Sequence, residues 1–498
     1  MSASVAPRFD PARRRAVTIA LLLVTALASF ESTIVSTAMP TIIGELHGLP
    51  LYSWVFSIYL LTSTVTMPIY GRLADVYGRR RILMTATAVF LTGAVTCALA
   101  RSMPQLIVAR GLQGLGAGGL IPIALTVSGD LYSLEERARV QAFFSGVWGF
   151  ASLVGPLLGA FLTVTFGWRS IFTINVPLGI IAFVLVATKM IESRKPGSDP
   201  LDLAGAVTLA LGIAALLFAV LQRAGAGTLG TGMRLVLGSG GLVLLAVFAR
   251  LQGRRKHPLV PPDLFRHART AAPYVGGVLL GTTIYGVDTF VPLFVQGARG
   301  GTAGAAGAVI TPLVLFWALS AAAAARVILR FGFRKTARAG ALLILAGFIS
   351  LLVAARLDAP VFAISAACGL IGAGLGPSSL SQVLAIQNVV DEGRRGVATS
   401  LVPFFRTVGG SLGVGALGGI LASGLTRRMG AAAESAGAAL AEGHVPRELR
   451  LALEQSLLPV FAVLLALAFV NLVVTSRFPD LQVTPRTPTP DERRIRAE

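Results

Sequence analysis

Fourteen apolar segments, a one-sided distribution of Lys and Arg, and a worn internal repeat predict the fold class. It is an all-α polytopic membrane protein of fourteen transmembrane helices: two six-helix halves, with two further helices inserted between them. Of the 498 residues, 54% are hydrophobic and only 13% are charged, and the mean hydropathy is +0.76. A soluble chain would carry roughly 25% charge.

The segments lie near 16–43, 51–71, 82–101, 104–128, 138–163, 169–190, 201–222, 233–250, 271–295, 304–325, 336–355, 360–386, 396–422 and 456–476. Each is long enough to span about 30 Å of hydrocarbon at ~1.5 Å per residue, and most are apolar all round. Short connections make neighbours antiparallel. With the amino terminus inside, 31 of the 43 Lys and Arg fall on cytoplasmic segments and 10 on outside loops, while Arg110 and Arg406 lie within helices. That asymmetry places both termini in the cytoplasm. The net charge of +20 is therefore a topology signal, with contact to anionic lipid as a side effect, and nucleic acid is excluded as a partner. Cys97 and Cys368 both sit in apolar runs, so neither a disulfide nor a metal site is expected.

Two short patterns recur. Arg72 to Arg81, with its turn glycine Gly78, is echoed 254 positions later around Gly332, and Gly111 to Gly118 is echoed 258 positions later as Gly369 to Gly376. The near-equal offsets imply duplicated halves. They divide the chain into a basic arm (1–15), an amino-terminal half (16–195), two inserted helices (196–256) and a carboxyl-terminal half (257–480). A polar tail, 481–498, follows, and 423–455 is expected to be a long, partly helical outside loop.

Glu31 is the most informative residue, because an acid inside an apolar segment is costly if charged and facing lipid. It must face a polar cavity, a partner or a proton, unless it merely marks a misjudged helix end. Asp288 lies 257 positions further on, in the first helix of the second half. Both acids sit about 15 to 17 residues from the cytoplasmic helix end, roughly 22–26 Å deep, so a shared cavity is expected. Arg110, with Gln113 one turn on, opens the fourth helix, and an arginine in a membrane wants a carboxylate. The Gly114-x-Gly116-x-x-Gly119 spacing mimics a dinucleotide fingerprint, but without a preceding strand it is better explained by tight helix packing. For Arg406 two readings stay open: an ion pair with Asp288, or a snorkelling side chain that leaves Asp288 to Thr or Tyr hydroxyls.

The loop Gly71-Arg-Leu-Ala-Asp75-Val-Tyr-Gly78-Arg79-Arg80-Arg81 resembles the signature loop of the major facilitator superfamily. The resemblance implies a conformational latch on the cytoplasmic side, with Gly71, Asp75, Gly78 and Arg80 matching position by position and Arg79 beside them. Asp75 can pair with a loop arginine or cap a neighbouring helix amino terminus. Gly149, Gly155, Pro156 and Gly159, in Gly149-Phe-Ala-Ser-Leu-Val-Gly155-Pro156-Leu-Leu-Gly159-Ala160, resemble the bent-helix motif of this superfamily's antiporters, with Ala160 replacing the usual final glycine. Glu31-Ser-Thr-Ile-Val-Ser-Thr-Ala-Met-Pro40 resembles the first-helix motif of the fourteen-helix drug:proton antiporter family, which usually has aspartate at the position of Glu31. Arg110 resembles the superfamily's fourth-helix arginine, implicated in proton transfer.

The resemblance implies proton-coupled efflux of small amphipathic or cationic compounds across the plasma membrane, driven by the proton gradient and using no cofactor; a monomer is expected. Glu31 is the first candidate for proton carrier, Asp288 the second and Arg110 the modulator. Uptake, or export of a defined metabolite or lipid, is the alternative within transport, and a receptor or scaffold lies outside it. An enzyme is disfavoured: His47, His257, His267 and His444 fall in loops without ligand spacing, and no nucleophile–base set stands out in the membrane interior.

Overall fold

The computed structural model describes residues 10–46, 51–192, 202–221, 230–255, 258–301, 303–430 and 446–479, and among them there is no strand. The helices are α1 (Pro11–Leu46), α2 (Tyr52–Tyr77), α3 (Arg79–Ala98), α4 (Met103–Leu131), α5 (Leu134–Phe166), α6 (Ser170–Thr173) and α7 (Asn175–Lys189). They continue as α8 (Leu203–Leu221), α9 (Thr231–Arg254), α10 (Asp263–Arg266), α11 (Ala268–Leu293), α12 (Ala303–Arg356), α13 (Val361–Val389), α14 (Arg395–Met429) and α15 (Arg447–Thr475). Among the described residues nine helices are long and apolar enough to cross a membrane, or ten with α5 taken across its bend. The 54-residue α12 holds two of the predicted segments, one on either side of Gly332.

Local chemistry sets the ends. Ser102 accepts a hydrogen bond from the Gln105 N–H (3.4 Å) to start α4. Ser133 and Glu136 form a reciprocal capping box at α5. Gly78 (φ 99°) separates α2 from α3, and Gly332 (φ 82°), 254 positions later, breaks α12. Both conformations suit glycine because a Cβ is disfavoured at positive φ. Pro177 has no N–H to offer the Thr173 carbonyl, and α6 ends at Thr173 with α7 restarting at Asn175.

Packing follows the repeat. α4 lies between α2 and α3, and α13 packs against both arms of α12. A Cβ on Gly114 would strike Thr62 and Tyr59 of α2, and one on Gly116 would strike Ala86 and Phe90 of α3. Gly372 and Gly374, each 258 positions further on, stand in the same way against Leu313 and against Gly340 and Ile344 of α12. Close backbone approach through small residues is how membrane helices gain dispersion contacts without a hydrophobic drive. Beyond these, α1 packs on α4, α5 and α7, and α11 on α14 and α15. α5 meets α12, and α14 meets α2 and α4. Asp202 accepts from the Gly205 N–H (2.9 Å) and from Gln252 (2.8 Å), fastening the start of α8 to the end of α9. This helix pair then packs on α2 and α14 through one apolar core. The outer faces carry exposed Val108, Leu157, Val164 and Phe362, as lipid contact requires.

The outside loop expected over 423–455 is helical at both ends, because α14 runs to Met429 and α15 begins at Arg447. Gly418 and Gly424 do not stop α14, since no proline follows them and an i→i−4 ladder tolerates glycine. Residues 431–445 of that loop, the arm 1–9 and the tail 480–498 lie outside the described residues.

Candidate functional site

Glu31 and Arg110 form a buried ion pair between α1 and α4. The Arg110 Nη1 that donates to Glu31 Oε1 also donates to Gln113 Oε1 (2.7 Å), and Nε donates to the Val55 carbonyl (3.2 Å). Its guanidinium lies 4.2 Å from the centre of the Tyr59 ring. The second carboxyl oxygen of Glu31 accepts from Asn175 Nδ2 at 2.9 Å. Glu31, Arg110, Gln113 and Asn175 are all at most 3% exposed. Enclosure of this kind holds the pair only because charge-assisted hydrogen bonds replace the lost water. Sequence reading placed Glu31, Arg110 and Gln113 in the site but missed Asn175 and Tyr59. The available signal for Asn175 was a lone amide in an otherwise apolar helix, next to the break before Pro177.

Asp288 stands differently. It is exposed on α11, as is Tyr285 one turn before it, whereas Glu31 is enclosed. The two acids therefore do not face one shared cavity in this conformation, although their 257-position separation lies between the offsets of the two echoed motifs. The envisaged Asp288–Arg406 ion pair is also absent among the described residues. Tyr285 lies within electrostatic reach of both charges and beside Thr407. The physical reason is the closeness of α11 and α14. A Cβ on Gly281 would fall on the Arg406 carbonyl, and one on Gly410 on the Tyr285 ring. Arg406 thus turns its backbone to α11, and its buried Nε has no hydrogen-bond partner among the described residues.

The α2–α3 turn builds a second network. Asp75 accepts from the backbone N–H groups of Gly396 (3.0 Å) and Val397 (2.9 Å), at the start of α14, and from Arg79 (3.4 Å). Both options open for Asp75, loop arginine and helix cap, are realised together. Arg79 is also paired with Asp130 at the end of α4, which in turn pairs with Arg395 at 2.8 Å. Gly71 allows the approach, since a Cβ there would meet Ser400 and the Gly396 carbonyl. Behind Gly78, Glu192 accepts from the N–H groups of Arg79 (2.9 Å) and Arg80 (3.1 Å), capping α3, while the Arg80 guanidinium donates to the Ala187 carbonyl. Asp130, Glu192 and Arg395 were not singled out from sequence, because charges that flank apolar segments look like ordinary loop residues.

In α5 the axis turns by 51° between Arg139–Ser152 and Leu157–Phe166, the stretch that contains Gly155 and Pro156. Gly149 faces Ala318 of α12, where a Cβ would come within 3.2 Å, and Gly159 faces Thr37 and the Ile34 carbonyl of α1. The bent helix therefore bridges α1 and α12. Among the described residues no cluster of His, Cys, Asp or Glu could hold a metal ion, and Cys97 and Cys368 are free and buried.

The Major Facilitator Superfamily profile matches residues 21–414. The chain is similar to the Multidrug transporter protein MdtP of Bacillus subtilis (strain 168), with 32% identity over 411 residues, 82% of this chain and 75% of that protein. It is 30% identical to Multidrug resistance protein 3 of the same organism over 419 residues, 83% of this chain and 80% of that one. Two solved structures share the fold. One is the proton:xylose symporter XylE, with TM-score 0.63 and 15% identity, covering 93% of this chain and 95% of that one. The other is a bacterial homologue of the iron transporter ferroportin in an outward-facing state, with TM-score 0.64 and 13% identity, covering 93% and 98%.

Proposed function

The chain belongs to the major facilitator superfamily, and within it we propose a fourteen-helix drug:proton antiporter that expels small amphipathic or cationic compounds from the cytoplasm. In this reading two six-helix halves rock about a substrate path between them, α8 and α9 are the inserted pair, and the protein works as a monomer in the plasma membrane with both termini inside. The observation that carries the reading is the enclosed Glu31–Arg110 pair. A carboxylate held by an arginine can trade that partner for a proton, and the trade changes the charge buried between α1 and α4. Names of relatives such as multidrug transporter and efflux pump support the direction of transport.

The mechanism follows from the two networks. The Asp75–α14 and Arg79–Asp130–Arg395 contacts close the cytoplasmic side in this conformation. Proton loading at Glu31 and substrate release occur while the outside is open. Proton release and substrate loading follow once those contacts part. Asp288, exposed on α11, is available to a cationic substrate.

The test is proton flux in proteoliposomes with ethidium as substrate. Wild-type protein is expected to move protons inward as the dye moves outward, and Glu31→Gln to abolish that coupling. Glu31→Gln with full dye-dependent proton movement would overturn the assignment. A second reading, export of a lipid-like compound, is favoured by an apolar groove lined by Leu209, Ile213, Phe248, Leu401, Phe404 and Phe405. Failure to move any cationic dye while moving a lipid analogue would select it.

A further inference from the structure

Arg110 and Asn175, which both donate to Glu31, each have a second acceptor within reach. Arg110 Nη1 is shared with Gln113 Oε1 at 2.7 Å and its Nε with the Val55 carbonyl at 3.2 Å. Asn175 Nδ2, 2.9 Å from Glu31 Oε2, is also 3.4 Å from the Ile171 carbonyl one turn back. A buried arginine or amide stripped of its acceptor would be costly, yet here Glu31 can be neutralised without stranding either.

The two carboxyl oxygens are not equivalent. Oε1 is held by a cation and Oε2 by a neutral amide, and a charge-assisted hydrogen bond is about twice as strong as a neutral one. A proton therefore goes to Oε2. The protonated Oε2 is a much poorer acceptor, so Asn175 Nδ2 falls back on the Ile171 carbonyl, or the amide turns so that Oδ1 accepts the proton. Arg110 keeps Oε1 and Gln113 throughout. In balance, one proton from solvent makes one O–H bond and displaces one N–H···O contact.

We propose that Asn175 is a positioning residue that sets the pH at which Glu31 exchanges its proton. The place of Asn175 follows from the break before α7, where the missing N–H of Pro177 frees the preceding turn. Among the described residues, the other titratable or charged groups facing Glu31 are Arg110 from α4, Tyr59 from α2 and Cys97 from α3. Among the described side chains of α5 and α7, the charges of Glu136, Arg137, Arg139 and Lys189 lie at the opposite ends of those helices. This inference rests on Glu31 being the proton carrier.

The experiment measures ethidium-driven proton flux in proteoliposomes against pH for wild type, Asn175→Leu, Asn175→Asp and Glu31→Gln. Loss of a donor to the carboxylate favours the protonated form. Asn175→Leu is therefore expected to move the midpoint alkaline by about one pH unit or less. Asn175→Asp keeps size and shape but adds a carboxyl that must share the proton, so its midpoint moves further in the same direction. A merely structural Asn175 would lower the rate without moving the midpoint, and Asn175→Asp with an unmoved midpoint overturns the proposal even if Asn175→Leu fails to fold. Persistence of coupling in Glu31→Gln instead overturns the reading beneath it.

Discussion

Asp75 of α2 caps α14, accepting from the Gly396 and Val397 N–H groups across 321 and 322 positions of sequence. A carboxylate at a helix amino terminus satisfies orphan donors and complements the helix dipole, and this one also joins the beginning of the chain to its end. Asp75→Ala is expected to remove about 0.5–2 kcal/mol from that closure, the range for a lost cap. A cysteine placed at Ser400, which lies beneath Gly71, should then be labelled faster by a membrane-impermeant thiol reagent applied from the side of the α2–α3 turn. Unchanged labelling would show that other contacts hold the closure.

The Glu31–Arg110 pair should show strong coupling in stability. Arg110→Ala leaves a buried, unpaired carboxyl and is expected to cost about 3–5 kcal/mol. Adding Glu31→Gln should recover part of that loss, because no buried charge remains. Thermal unfolding in detergent across the double-mutant cycle checks this, and strictly additive losses would contradict it.

Gly281 tests the closeness of α11 and α14. A Cβ there coincides with the Arg406 carbonyl, so Gly281→Ala must force the helices apart at about 1–3 kcal/mol. Gly307 of α12, with nothing within 4 Å of its Cβ position, is the control. Gly307→Ala should be neutral or slightly stabilising. Equal melting temperatures for the two variants would refute the tight contact.

Glu45, beyond the apolar 16–43 segment, accepts from Arg169 Nη1 (2.5 Å) and from the Trp168 indole (2.7 Å). The Arg169 hydrogen bond first, and the Trp168 one next, hold its carboxyl below the ordinary value of 4.5. The stabilisation is therefore complete above that value and is lost as pH falls through the lower, folded value. With Trp54, Trp148 and Trp317 each replaced by Phe, Trp168 emission should change on acidification below pH 4.5. Glu45→Gln should remove that step.

Gly78 and Gly332 show what could be read without a structure. Their spacing within a repeated basic pattern predicted two equivalent turns, and both adopt positive φ. The glycine runs of α4 and α13 were likewise legible as packing surfaces, since small residues at short spacing have one main use between membrane helices. Asn175, Asp130 and Glu192 were not legible, because each acts on a residue more than 50 positions away.

By itself, then, the sequence determined the helical, membrane-spanning character of the chain, its duplicated turns and the few polar residues worth suspecting. Apolar length and glycine conformation are local properties, and each leaves its mark within one or two turns. Only the tertiary structure decided which suspects meet. Glu31 is paired with Arg110 and held by Asn175, whereas Asp288 and Arg406 are kept apart around Tyr285. That outcome depends on the rotation and separation of packed helices, set by contacts such as Gly281 against the Arg406 carbonyl. A displacement of a few ångströms there decides whether two charges touch, and no periodicity within a single helix records it.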